Sequence, residues 1–232
     1  MDMSNNGNIK ILSLESAGAS CSVALHIDGE LISEYTVNAA NLHDRLLADF
    51  AKRALSDLQM NVSDLDAVAV SAGPGSFTGL RICGSLGKAL AYGNSPKLIA
   101  VPTMHALAYS CILNLPYIDF NAVIATIKAH KDLLYYQVFS KDFTFTSEPV
   151  FITQDEFLNF DFGNAMICGT AADLFPKYFS INGYNKLSAK YIGELAYKMY
   201  QDGEFTDSDE YTPLYIQEFE PKTLQKDIAI CS

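Results

Sequence analysis

Positive charge is scarce in this chain. Its 232 residues carry 16 Lys and Arg against 27 Asp and Glu, a net charge of −11, and a surface of that sign repels a phosphate backbone, which argues against a protein that grips nucleic acid unaided. Cysteine is sparse and scattered. Cys21, Cys83, Cys111, Cys168 and Cys231 are odd in number, form no CxxC pair and have no histidine at ligand spacing, so reduced and mostly buried thiols of a cytoplasmic protein are expected rather than a disulfide framework or a zinc site. No apolar run approaches the ~20 residues that span a bilayer, and the opening MDMSNNGNIK is polar. Neither a membrane segment nor a signal peptide is expected. Also absent are GxxxxGK[ST], GxGxxG and HExxH, which removes the ordinary phosphate-loop, dinucleotide and zinc-protease readings. No Ser, His and Asp constellation can be placed either.

What is present is a stretch that organises the rest, Ser71 to Gly93, SAGPGSFTGLRICGSLGKALAYG. A buried strand runs into a glycine and proline turn, and the turn runs straight into a helix from Thr78 to Tyr92 capped by Ser76 or Thr78. Gly84 and Gly87, with Cys83 and Ala91 beside them, make a flat face on which another helix or the sheet can come close. Interior glycine costs about 1 kcal/mol relative to alanine, so the pair needs a packing reason.

An apolar content of 49% describes a globular chain with length for one large or two small domains. Ile9 to Leu14, Cys21 to Ile27 and Glu30 to Val37 read as an antiparallel meander with Asp28-Gly29 as a hairpin turn. Asp44 to Leu58 is an amphipathic helix whose stripe, Leu46, Leu47, Phe50, Ala51, Ala54, Leu55 and Leu58, is wide enough either to pack wholly on the sheet or to spare an edge for a partner. Asp64 to Ser71 and Lys97 to Val101 then form a parallel pair around the glycine-rich helix. Thr103 to Leu113 is helical. After Pro116 to Phe120 a second strand-rich start follows: Ala122 to Lys128, Leu133 to Phe139 and Phe143 to Val150. A short helix (Gln154 to Leu158), a strand (Ala165 to Cys168) and a helix capped by Ser188 close the ordered part. The expected division is 1–115 and 116–232. Asp207, Asp209 and Glu210 read as a solvated acidic loop rather than a calcium loop, and the residues from Pro221 as loosely ordered or docked on a partner.

Read together, Ile11 to Ile27 (ILSLESAGASCSVALHI), Asp64 to Arg81 (DLDAVAVSAGPGSFTGLR) and Lys88 to Ala91 (KALA) resemble the bacterial TsaB (YeaZ) family, GPGSFTGLR after a buried strand being the specific part. The likeness covers the first half of the chain and afterwards thins to YYQVF (Tyr135 to Phe139) and PLYI (Pro213 to Ile216). It implies an α/β actin-like ATPase and sugar-kinase (ASKHA) fold of two subdomains with mixed sheets, the second half shortened. It implies a non-catalytic partner subunit that binds and activates the catalytic TsaD subunit, with the ATPase TsaE, in forming threonylcarbamoyladenosine on tRNA. ATP and metal are then expected in the partner subunits and not on this chain, tRNA is met only through the complex, and a homodimer is expected when the chain is alone. The surface expected to meet TsaD comprises Leu47, Ala51 and Ala54 with Cys83, Gly84, Gly87 and Ala91; a charge at Gly87 should abolish the complex and leave the monomer folded.

This chain departs from the related patterns at three places. Glu15, followed by Ser16, stands where the actin-like phosphate loop starts with aspartate. Thr103 and Leu107 align with the two metal-binding histidines of TsaD, and neither can serve as such a ligand pair. Lys128 and His130 stand where family members often carry aspartate and arginine. The alternative reading is a nucleotide-dependent small kinase or ATPase of the same superfamily, with Glu15, Gly73, Gly75 and Ser76 as its cofactor-binding residues.

Overall fold

The computed structural model of the protein describes residues 8–39, 43–144 and 146–214; the expectations for Tyr215 and Ile216 of PLYI, for the stretch from Pro221 and for Cys231 lie outside them. The described residues fall into two compact units, one running to Ala106 and resuming at Leu187–Pro213, the other Leu107–Lys186.

In the first unit, β1 (Lys10–Glu15), β2 (Ser20–Ile27) and β3 (Glu30–Asn38) form the expected antiparallel meander. β4 (Ala67–Ser71) and β5 (Lys97–Val101) add in parallel, giving the order β3-β2-β1-β4-β5. Because side chains alternate across a strand, Leu12, Leu14, Val23 and Leu25 point to one face, where they pack with Leu47, Ala51, Ala54 and Leu55 of α1 (His43–Ser56) and with Cys83 of α2 (Phe77–Leu90). Ser13 and His26 point to the other face, under α5 (Ala189–Gln201). Thr206, beyond α5, donates its amide to Leu98 O at 2.8 Å, and its hydroxyl accepts from the Ala100 amide at 3.1 Å. The free edge of β5 is thereby partly covered.

The second unit repeats the theme with β6 (Ala122–Lys128), β7 (Leu133–Ser140), β8 (Val150–Thr153) and β9 (Ala165–Gly169) in the order β8-β7-β6-β9, β6 and β9 being parallel. Its core is aromatic: Tyr136, Phe157, Phe162, Phe175 and Tyr178 cluster, with the rings of Phe157 and Phe175 4.3 Å apart. α4 (Gln154–Leu158) starts on a capping box between Thr153 and Glu156. Two mixed sheets flanked by helices make an α/β fold, as expected.

Three expectations are corrected. The division is not a single cut after residue 115. It runs through α3 (Thr103–Asn114), and the chain returns at Leu187 to the first unit, because the inward face of α5, Ala189, Ile192, Gly193, Leu195 and Ala196, is buried against the first sheet. The strand expected over Phe143 to Val150 starts only at Val150. Phe143 has φ 62°, and Asp142 accepts from the hydroxyls of Ser140 and Thr144, which bends the chain into a turn.

The third correction concerns the surface assigned to a partner. Leu47, Ala54, Cys83 and Ala91 are at most 1% exposed and Ala51 is 4% exposed, so the chain's own core occupies them. Gly84 and Gly87 are buried as well. A methyl group at Gly87 would stand 2.3 Å from Val70 Cγ1 of β4, and one at Gly84 would stand 3.1 Å from the Tyr211 ring and 3.2 Å from Pro213. The glycine face brings α2 close to its own sheet and to the 211–213 segment. Gly87→Glu would therefore break the fold rather than test an interface. Even Gly87→Ala should lower the unfolding free energy by about 1–3 kcal/mol through overpacking against Val70, which urea denaturation of the isolated chain checks.

Candidate functional site

β1 and β4 are parallel neighbours, so Glu15 and Ser71 arrive together at their carboxyl ends, the position where open α/β sheets place ligands. The turn from Gly73 to Ser76 leads into α2. Gly73 takes φ 105°, a left-handed conformation that favours glycine. Its amide donates to Thr103 Oγ1 at 3.0 Å, and the Thr103 amide donates back to Gly73 O at 2.9 Å. Thr103, read from sequence as the first residue of a helix and in the place of a metal-binding histidine of TsaD, thus ties the turn to the start of α3. Its hydroxyl after Pro102 was visible, but its partner lies 30 residues away. Ser76 caps α2, its side chain accepting from the Gly79 amide at 3.3 Å.

The residues after β1 sit directly on this helix start. The Ser76 amide donates to Ala17 O at 2.6 Å, and the Ser16 hydroxyl donates to Gly79 O at 2.8 Å. A methyl group on Gly75 would meet Ala17 at 2.6 Å, and one on Gly79 would meet Ser16 O at 1.8 Å. Only glycine permits that approach. A helix N-terminus attracts anions through its free N–H groups; here the Ser76 amide is taken by Ala17 and the Gly79 amide by the Ser76 side chain. Two of the amides a phosphate would use at this turn are thus engaged within the chain, one of them by the 15–17 segment.

Glu15 is wholly buried. One carboxyl oxygen accepts from the Ala17 amide at 2.5 Å, while Oε2 makes no hydrogen bond of good geometry. Burial pushes the carboxyl up to about 7, opposed by the Ala17 amide and weakly by the Ser71 hydroxyl, which itself lies 3.7 Å from Cys83 Sγ. Loss of solvent, with the nearby Glu15 second, pushes the thiols of Cys21 and Cys83 up to about 11 and about 12. Neither is an ionised nucleophile at neutral pH. The four candidate cofactor residues, Glu15, Gly73, Gly75 and Ser76, are therefore brought together, and what they hold is the chain itself. Among the described residues no three His, Cys, Asp or Glu side chains gather as metal ligands. Lys128 is exposed at the end of β6 and His130 in the turn that follows; both belong to the other unit.

Sequence reasoning passed over His26. It is fully buried on the far face of the first sheet, and neither ring nitrogen makes a hydrogen bond of good geometry. Gly193 of α5 lies so close that a methyl group there would be 2.2 Å from the ring and 2.6 Å from Ser13 Oγ. Burial, and then the Lys190 charge, push His26 down to about 4. Its place in an alternating strand was legible, but not the glycine above it.

The comparisons with known proteins agree with this architecture. The family model described as TsaD, tRNA N6-adenosine threonylcarbamoyltransferase, matches residues 35–198. The chain belongs to this family, in its TsaB (YeaZ) branch. It is similar to the tRNA threonylcarbamoyladenosine biosynthesis protein TsaB of Haemophilus influenzae, 27% identical over 129 residues that make up 56% of this chain and 53% of that protein. The TsaB protein of Escherichia coli is 28% identical over 134 residues, 58% of this chain and 56% of that one. A tRNA N6-adenosine threonylcarbamoyltransferase of Sphingopyxis alaskensis is 35% identical over 97 residues, 41% of this chain and 28% of that one. The chain thus spans about half the length of the TsaB relatives it matches. In fold it is similar to YeaZ from Pseudomonas aeruginosa, with a TM-score of 0.77 and 21% identity over 90% of this chain and all of that one.

The two buried groups make opposite demands on pH. Folded Glu15 keeps its proton up to about 7 while the unfolded group ionises near 4.5, so stability is lost as pH rises through that window. Folded His26 stays neutral down to about 4 against 6.5 unfolded, so the unfolded chain binds the extra proton and stability is lost as pH falls. Each shift corresponds to about 3 kcal/mol at most. Glu15→Gln should stabilise the protein by about 2–3 kcal/mol at pH 8 and leave a curve that declines from pH 6.5 downward. Denaturant midpoints across pH 5 to 8 check both effects.

Proposed function

We propose that this chain acts in making threonylcarbamoyladenosine on tRNA, as a non-catalytic subunit that binds and activates a TsaD homologue. Membership of the TsaB branch supports the pathway. The observation that carries the subunit role is the 15–17 segment seated on the first turn of α2: the Ser76 and Gly79 amides at that helix start are engaged within the chain, and the carboxyl beside them is buried with one oxygen unpartnered. ATP and metal then belong to the partner subunits, the TsaD homologue and a TsaE homologue. A net charge of −11 supports a tRNA contact made by those partners rather than by this chain, and the assembly acts in the cytoplasm.

The partner surface is the outward side of the α1 and α2 pair rather than the residues in their core. On α2 the exposed positions are Phe77, Thr78, Arg81, Ser85 and Ala89; on α1 they include Arg45, Ala48, Asp49, Lys52 and Arg53. Phe77 is 53% exposed. Short side chains at Ser85, Ala89 and Ala48 let a second helix come close without long side chains to immobilise. Alone, the same surface pairs two copies of the chain.

Size-resolved mixing of this chain with the TsaD homologue of the same organism should give a stable one-to-one complex, with calorimetry showing no tight ATP binding by the chain alone. Ser85→Trp should weaken that complex about tenfold or more while changing monomer stability by about 0.5 kcal/mol or less. No complex together with micromolar ATP binding would instead favour the small kinase or ATPase reading, with Glu15 and the Gly73 to Ser76 turn as its site.

A further inference from the structure

A carboxyl group shielded from water, with one oxygen unpartnered, underlies the segment that holds α2. Glu15 Oε1 accepts from the Ala17 amide, Ala17 O accepts from the Ser76 amide, and Ser16 Oγ donates to Gly79 O. The first two run in series from the Glu15 side chain to the helix start, and the third adds the neighbouring Ser16 side chain. The groups facing Glu15 are the Cys21 thiol from β2, the Cys83 thiol from α2 and the Ser71 hydroxyl from β4. The charged residues of the packed helices are engaged elsewhere or exposed. On α5, Lys190 pairs with Glu194 at 3.8 Å and acts on His26, and Lys198 acts on Glu194. On α2, Lys88 binds the carbonyls of Asp209 and Tyr211, and Arg81 is exposed. On α1, Arg45, Asp49, Lys52 and Arg53 are exposed, as is Asp57 just beyond it. Among the described residues no cation supplies Glu15 with a hydrogen bond. A buried carboxylate without one is costly and has to take up a proton or reach water.

We propose that Glu15 is a proton-operated latch on the N-terminus of α2. Protonated, it stays buried and the 15–17 segment clasps the helix. Ionised, it is drawn toward water, the Ala17 and Ser16 contacts release, and the Ser76 amide is freed. Opening requires no covalent change, only transfer of the carboxyl proton to solvent. The inference concerns the isolated chain and stands whether or not the chain is a TsaD partner.

Linkage sets the profile. The closed group titrates at about 7 and the opened group at its ordinary 4.5, so between them each pH unit favours opening about tenfold, with a plateau above. The test is hydrogen exchange of the Ala17 and Ser76 amides in the isolated protein from pH 5 to 8, corrected for intrinsic exchange. Opening should rise about tenfold per pH unit up to pH 7 and then level off, and the profile of Glu15→Gln should be flat. Equal opening at pH 5 and pH 8, or a slope that survives in Glu15→Gln, overturns the proposal. Should that variant fail to fold, the carbon-13 shift of the Glu15 carboxyl in the unaltered protein decides instead. Opening of the Ala17 and Ser76 amides that follows the carboxyl's titration supports the latch, and opening that does not follow it overturns the proposal.

Discussion

The clasp of the turn after β1 on the first turn of α2 is the constraint on which the rest of the first unit depends. Ser16 and Ala17 present their carbonyls to Gly79 and Ser76 at distances that admit no Cβ at Gly75 or Gly79. That contact sets where α2 begins, and Gly73 with Thr103 then sets how the same turn meets α3. Helix start, strand end and the next crossover are bonded to one another over a few residues. A phosphate in this position would compete for the Ser76 and Gly79 amides.

Close approach through glycine recurs on both faces of the first sheet. Gly87 lets α2 settle on Val70, and Gly193 lets α5 settle on Ser13 and His26. Each removes a side chain from a helix interior, where propensity disfavours it by about 1 kcal/mol, and each gains contact between a helix backbone and a strand. The result is a thin sandwich of helix, sheet and helix whose sheet carries two buried ionisable groups, Glu15 and His26, without charged partners. Their pKa values move in opposite directions for one reason: burial disfavours whichever form is charged.

Much of this was legible in order. The meander, the hairpin at Asp28 and Gly29, the amphipathic α1, the strand–turn–helix at Ser71 to Leu90 and a cap at Ser76 or Thr78, of which the structure uses Ser76, follow from period, turn chemistry and capping, which are local. The family was legible in GPGSFTGLR, and Glu15, Gly73, Gly75 and Ser76 do come together. The errors fell where a residue answers to something distant. Phe143 to Val150 alternates as a strand should, yet Asp142 gathers its neighbouring hydroxyls and turns the chain. The helix from Ala189 was placed with the residues before it and belongs to the first sheet.

By itself the sequence determined the element order, the α/β class, the family and the fact that α1 and α2 each carry a face of small or apolar residues, because those depend on neighbours a few positions apart. Only the tertiary structure decided what those faces meet. Periodicity says that a helix has a face to bury, but whether Gly87 buries against a partner or against Val70 depends on which surface arrives first in space. Likewise Glu15 is any acid at a strand end until the 15–17 segment closes over it and removes the water that would have kept it charged.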